Sequence, residues 1–253
     1  MELEEDKSTS KEDTKQHKVY LTTTASISRN AKNEKTINEF TLGETIGKGG
    51  FSKVKMAKHD SDKCFAIKIM HKPTLKRERS LAYSPRGSTS MTNNLEKAYS
   101  EINTWSQLDH KNIIKLFEVI DDDTCDYLYL IMELADLGQI ADWNREEHKY
   151  KRNEKIFNWV LTNKLNKTTF TSEQQKIEAV AKFLFSQITD GLSYLHSKNI
   201  IHHDIKPDNL LFTSKDIVKI ADYTVARILP PGQDKCFDAE GTTAFTGNLL
   251  VKC

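Results

Sequence analysis

In a chain of 253 residues, the run Ile201-His202-His203-Asp204-Ile205-Lys206-Pro207-Asp208-Asn209-Leu210-Leu211 sets an acid, a lysine and an amide at i, i+2 and i+5. Pro207 stiffens the loop that carries them. These groups suit phosphoryl transfer. The carboxylate of Asp204 accepts a hydroxyl proton, Lys206 neutralises the transferred phosphate, and the amide oxygen of Asn209 binds Mg2+. Asp222 follows the hydrophobic run 217–221 and supplies a second metal-binding oxygen.

A second constellation lies upstream. Gly47-Lys48-Gly49-Gly50-Phe51-Ser52-Lys53-Val54 lets backbone approach phosphate oxygens and adopt positive φ. Alone, this cluster is equally compatible with an ordinary glycine-rich hairpin. It leads into a strand, whereas a dinucleotide-binding glycine run opens a helix. Lys68 sits in Cys64-Phe65-Ala66-Ile67-Lys68-Ile69-Met70, where alternation puts Ala66 and Lys68 on one face. Ala66 can then cover a purine while Lys68 reaches its phosphates; the plainer reading is a solvated edge lysine. Glu101, beside the apolar stripe of Ile102 and Trp105, is the carboxylate placed to fix Lys68 as an ion pair; the plainer reading is a solvated helix glutamate.

These residues require particular elements. Segments 40–46, 54–58 and 64–70 read as three short antiparallel strands, and 113–120 and 127–134 as two more. Leu95, Ala98, Ile102, Trp105 and Leu108 recur at helical spacing behind a cap of Asn93 and Glu96. Five strands and one helix make a small α+β lobe over residues 40–134. Within it, 71–93, rich in basic and hydroxyl residues and holding two prolines, reads as an inserted loop. Residues 1–39 read as a mostly disordered tail. Residues 135–253 form a second part with a charged insert at about 139–171. Its long helix starts at a capping box of Ser172 and Gln175 and presents Ile177, Val180, Leu184, Ile188, Leu192 and Leu195 on one face. A hairpin, 210–212 with 217–220, follows.

Charge and composition narrow the partners. Lys and Arg number 37 against 36 Asp and Glu, so no global field favours nucleic acid or an anionic membrane. Apolar runs reach strand length, not membrane-spanning length, and the charged N-terminus lacks the apolar core of a secretory signal. Cys64, Cys125, Cys236 and Cys253 lie far apart and read as free thiols. The expectation is a soluble, cytoplasmic protein.

The glycine loop, strand lysine, helix glutamate, catalytic loop and Asp222 together resemble the eukaryotic protein kinases, from about Phe40 to Phe245. Lys206-Pro207 looks like the serine/threonine branch. The stretches 38–57, 99–122 and 128–140 are similar to the calcium/calmodulin-dependent protein kinase kinases, which phosphorylate other kinases and carry an Arg/Pro-containing insert where 71–93 lies. The resemblance implies a bilobal α+β fold with a truncated, mainly helical second lobe that ends in the activation segment. It implies ATP and Mg2+ as cofactors and a protein substrate, itself a kinase in that subfamily. Ile46, Gly47, Lys48, Gly49, Gly50 and Val54 become the nucleotide loop, under the Ala66 ceiling, with Lys68 on the α- and β-phosphates. Met132 stands behind the adenine, Glu133 and Ala135 offer backbone hydrogen bonds, and Leu211 closes the sandwich. Asp204 is the catalytic base, Lys206 lies at the γ-phosphate, Asn209 and Asp222 hold Mg2+, and Thr242 lines the substrate site. Calmodulin dependence is not legible in these residues.

Four departures from the family pattern stand out. Ser52 replaces the third glycine of the loop. His203 stands where the family has arginine, so a constitutive cation becomes one charged only near or below a pKa of about 6.5. Tyr223-Thr224 replace Phe-Gly. The tyrosine ring can still stack with His202, Trp105 and Leu116, whereas β-branched Thr224 narrows the backbone freedom that glycine gives Asp222. After Phe245 the sequence leaves the pattern, which predicts an uncovered apolar face on the long helix. Two functions follow: an active serine/threonine kinase, or a nucleotide-binding or interaction module without turnover.

Overall fold

The computed structural model describes residues 18–83, 89–230 and 242. The first half is built from β1 (Tyr20–Thr22), β2 (Ile27–Arg29), β3 (Lys35–Ile37), β4 (Phe40–Lys48), β5 (Ser52–His59), β6 (Cys64–His71), α1 (Lys72–Arg77), β7 (Arg79–Tyr83), β8 (Thr89–Asn93), α2 (Asn94–Trp105), β9 (Leu116–Asp121) and β10 (Tyr127–Glu133). One sheet runs β1-β9-β10-β6-β5-β4-β3-β2. The five strands expected from alternation are its contiguous centre, β9 to β4. Their register places Lys68 between Val54 and Leu130, and Ala66 between Met56 and Met132.

The outer strands correct the expectation of a disordered tail. β1 adds in parallel to β9, and the β2–β3 hairpin adds to β4. Burial of Ile37 beside Phe40 anchors this segment, since both side chains are lost from water in the same apolar cluster. Residues 1–17 lie outside the described part of the chain. The segment 71–93 is also not a plain loop. Pro73 sits in the first turn of α1, where its missing N–H has no intrahelical partner to lose. Lys72 Nζ binds Asp121 Oδ1 at 2.9 Å and the Asp122 carbonyl at 2.8 Å. A β7–β8 hairpin then leads into α2.

The second half contains β11 (Gly138–Gln139), β12 (Ala141–Asn144), β13 (Lys149–Arg152), α3 (Glu154–Asn163), α4 (Glu173–Ser197), β14 (Ile200–Ile201), a 3-10 turn at Pro207–Asn209, β15 (Leu210–Phe212), β16 (Val218–Ile220) and β17 (Arg227–Ile228). The charged insert thus holds a hairpin, β12–β13. It also holds a helix, capped where Asn153 accepts the Ile156 N–H and burying Ile156, Phe157 and Val160. Ser172 accepts the Gln175 N–H at the start of α4, as the capping box predicts. Of the expected face of α4, Val180, Ile188 and Leu195 are buried, whereas Ile177 is 38% exposed and neighbouring Phe185 63%. The larger core cluster runs without a break from Met70 and Trp105 to Leu195, Phe212 and Tyr223, so both halves share one apolar interior.

One contact fixes the distance between α4 and β16. A Cβ on Gly191 would lie 2.7 Å from Ile220 Cδ1 and 3.2 Å from the Asn112 carbonyl oxygen. Gly191→Ala is therefore expected to destabilise the protein by about 1–3 kcal/mol through overpacking. Chemical denaturation measures this, and an unchanged midpoint would show that the helix can simply move away. Cys64 is an exposed free thiol and Cys125 a half-buried one; Cys236 and Cys253 lie outside the described residues. No helix among the described residues is long and apolar enough to cross a membrane.

Candidate active site

Helix α2 is positioned by three bonds. Asn93 accepts the Glu96 N–H at 2.9 Å and starts the helix. Tyr99 donates to Asp121 Oδ2 at 2.8 Å, and the buried Trp105 Nε1–H donates to the Ile114 carbonyl at 2.7 Å. The helix so held brings Glu101, 4% exposed, against β6. Lys68 Nζ lies 2.8 Å from Glu101 Oε1 and 3.7 Å from Asp222 Oδ1. Burial alone would lower the Lys68 pKa, but the Glu101 and Asp222 carboxylates outweigh it and the ammonium is held above its ordinary value. The ion pair expected from alternation and helical spacing is present.

The catalytic loop is held by its neighbours in the same way. Ala221 N–H donates to the Asn209 carbonyl, and Ile220 and Ile114 exchange backbone bonds with the 112–114 segment and β16. Gln187 of α4 accepts from Val218 N–H at 3.1 Å, so the long helix fixes the strand that leads to Asp222. His202 Nδ1 accepts the Asp204 N–H at 3.3 Å, which leaves Nε2–H to donate to the Ala221 carbonyl at 3.1 Å. Burial pushes this imidazole below its ordinary pKa, so it serves as a neutral spacer between loop and strand. The Tyr223 ring, 1% exposed, packs edge-on to His202 at 5.1 Å and tilted to Trp105 at 5.9 Å, as expected for the aromatic replacing phenylalanine.

Asp204 is met on both oxygens. Oδ1 accepts Thr242 N–H at 3.0 Å and Thr242 Oγ1–H at 2.6 Å. Oδ2 accepts Asn209 Nδ2–H at 2.9 Å and lies 2.7 Å from Lys206 Nζ. Burial would raise this carboxyl, but Lys206 and Thr242 outweigh it and hold it below the usual carboxylate range. Lys206 also donates to Thr242 Oγ1 at 2.7 Å. Asp204, Lys206 and Asn209 thus form one cluster, as their spacing predicts, and Thr242, placed there by the family resemblance, joins it.

The remaining predicted residues occupy the sheet side. Ile46, Gly47, Lys48, Gly49 and Gly50 run from β4 into its turn, where Gly49 N–H donates to the Ser52 carbonyl at 2.8 Å. Ile46 is exposed and Val54, opposite Gly47, half-buried. Ala66 is buried, and Met132, Ala135 and Leu211 are half-buried. Ala135 accepts from Gly138 N–H, while its own N–H has no acceptor among the described residues. The Glu133 N–H is already given to the Lys115 carbonyl, so only its carbonyl could serve a nucleotide.

Three contacts were not anticipated. Lys219, 6% exposed, reaches 2.7 Å to Glu133 Oε2 and joins β16 to the end of β10. Tyr150 of the β12–β13 hairpin donates to Asp208 inside the catalytic loop. Thr224 Oγ1 lies 2.5 Å from Asp222 Oδ1 and 3.2 Å from Glu101 Oε2. The Tyr150–Asp208 and Thr224–Glu101 contacts span 58 and 123 positions, beyond any local pattern.

The donor set fits a cation held together with phosphate. Asn209 directs Nδ2 to the Asp204 carbonyl and carboxylate, so its Oδ1 faces away with no donor among the described residues. Asp222 is 44% exposed at its side chain. No group of three or more His, Cys, Asp or Glu side chains among the described residues is arranged to hold a metal alone. One amide oxygen and one carboxylate completed by phosphate oxygens is the ordinary pattern for Mg2+.

A lysine–glutamate pair, a glycine turn and a lysine–aspartate–asparagine loop together make up the candidate site on a bilobal α+β frame. Residues 40–252 match the family model of the protein kinase domain, and the chain belongs to that family. It is 32% identical over 225 residues to a probable serine/threonine-protein kinase of Dictyostelium discoideum, covering 88% of this chain and 27% of that protein. The serine/threonine-protein kinases GRIK1 and GRIK2 of Arabidopsis thaliana are each 33% identical, over 84% of this chain and 45% and 44% of their own lengths. The chain therefore spans less than half the length of these relatives.

Proposed function

We propose that the protein transfers the γ-phosphoryl group of ATP to a serine or threonine hydroxyl of a protein substrate. The observation that carries this reading is the Asp204 cluster, in which Lys206, Asn209 and Thr242 converge on one carboxylate. Asp204 Oδ1, kept ionised by its low pKa, accepts the proton of the attacking hydroxyl. Thr242 is placed to hold the substrate beside it. Lys206, within reach of both, balances charge on the moving phosphoryl group. Lys68, aimed by Glu101, binds the α- and β-phosphates, while Ala66 and Leu211 flank the adenine and the free Ala135 N–H meets its edge. Asn209 and Asp222 would hold Mg2+, which would supply charge neutralisation at the phosphate oxygens.

As substrate class we propose another protein kinase, on the likeness of 38–57, 99–122 and 128–140 to kinase kinases, acting in the cytoplasm where Mg·ATP is available. Incubation with γ-labelled Mg·ATP and protein substrates tests transfer. Melting with ATP tests binding, for which saturation at a hundredfold over Kd gives about 2.7 kcal/mol of stabilisation. Stabilisation without label transfer would replace the kinase reading by a nucleotide-binding module, and indifference to ATP would remove both.

A further inference from the structure

Thr224 occupies the position after the metal-site aspartate and its aromatic neighbour, where the family pattern has glycine. Asp222 itself takes the strained backbone, with φ +65°, in the left-handed region that aspartate tolerates. Thr224 is not among the residues with positive φ, so its β-branch is accommodated, and the predicted loss of freedom takes another form. Its Oγ1 lies between two carboxylates, 2.5 Å from Asp222 Oδ1 and 3.2 Å from Glu101 Oε2. A hydroxyl has one proton to give, and the shorter contact takes it. Glu101 needs it less, because Lys68 already meets its other oxygen at 2.8 Å.

We propose that Thr224 is a positioning residue that clamps Asp222 onto the Lys68–Glu101 pair and presents its other oxygen, Oδ2, to the nucleotide-bound cation. With glycine, the aspartate swings freely and must be ordered at each binding event. Here the hydroxyl and Lys68 hold Oδ1 in advance, so that ordering precedes binding. The nearby charged groups are consistent with this. Lys68 Nζ, 3.7 Å from Asp222 Oδ1 and 2.8 Å from Glu101 Oε1, draws that oxygen towards the ion pair on α2. Tyr223, fixed between His202 and Trp105, prevents the intervening residue from turning over.

The inference rests on the nucleotide and magnesium reading above, and calorimetric titration of ADP with and without Mg2+ separates the two. For the chain carrying Thr224→Val or Thr224→Gly, Mg·ADP is expected to bind about tenfold more weakly, the contribution of one charge-assisted hydrogen bond. ADP without Mg2+ should bind within about twofold of the unaltered protein. Thr224→Ser keeps the hydroxyl and is expected to restore Mg·ADP affinity to within about twofold. Thr224→Val with unchanged or stronger Mg·ADP binding overturns the clamp, and so does Thr224→Ser behaving like Thr224→Val, since the methyl group would then be responsible. Should valine fail to fold, the glycine and serine variants decide alone. An unaltered protein that binds ADP under neither condition overturns the nucleotide reading, and the clamp with it.

Discussion

Replacing Asp204 by asparagine is expected to lower label transfer from γ-labelled ATP by about a hundred- to ten-thousandfold, the range for removal of a general base. The size follows from the geometry. Four donors converge on the two carboxylate oxygens, from Thr242 N–H and O–H, Asn209 and Lys206. An amide in that place has one acceptor oxygen and one donor NH2, so at least one existing donor meets another donor. It also has no lone pair basic enough to take the hydroxyl proton. Nucleotide binding should survive, because Lys68, Glu101 and the glycine turn lie on other elements. The measurement is therefore paired: transfer of label, and the rise in melting temperature with ADP. Transfer within tenfold of the unaltered protein would remove Asp204 from the role of base. Loss of the ADP effect would instead show that the loop had collapsed.

Lys68→Met is expected to have the largest effect on the folded state as well as on binding. Glu101 is 4% exposed, and its only cationic partner is the ammonium at 2.8 Å among the described residues. Removing one member of a buried pair leaves an uncompensated charge and costs about 3–5 kcal/mol. Asp222 loses a neighbour at 3.7 Å in the same step. Denaturant midpoints measure the loss, and ADP-dependent melting measures the phosphate contact. A second substitution separates the causes. Lys68→Met combined with Glu101→Leu removes both charges, and most of the stability should return because replacing a whole buried pair by apolar groups is close to neutral. Nucleotide affinity should not return. If the double variant is as unstable as the single one, packing around β6 rather than the stranded carboxylate accounts for the cost.

Much of this site is legible in the chain because its residues are spaced by rules that act locally. Alternation along β6 places Lys68 and Ala66 on one face, the period of α2 turns Glu101 towards them, and Asn93 and Ser172 announce the helix starts that the structure contains. The positions of Asp204, Lys206 and Asn209 follow from one short loop. What escaped the reading depends on partners far along the chain. β1 to β3 are three-residue strands, too short and too polar to declare themselves, and they form because the edges of β9 and β4 offer unpaired backbone groups. Thr224 reads as an awkward substitution for glycine, since the backbone turn that brings its hydroxyl onto Asp222 Oδ1, with Glu101 of α2 close behind, is not visible in the residue types. Lys219 and Glu133 likewise look like ordinary surface charges until the strands bring them to 2.7 Å.

The order of the large sheet has a mechanical consequence. Its two outermost strands, β1 and β2, are neighbours in the chain, with only residues 23–26 between them. That short link is itself tied down at both sides, by Ala25 N–H to Asp122 Oδ2 at 2.9 Å and by Ser26 N–H to Asn38 Oδ1 at 2.8 Å. The N-terminal segment therefore works as a belt buckled across an otherwise open ribbon of strands. Cutting it releases both ends at once, baring the backbone of β9 and of β3 to any strand that can pair with them. One proteolytic nick within residues 23–26 would thus loosen the strand that anchors α2 through Asp121 and expose β3, which flanks the strand that begins the glycine turn.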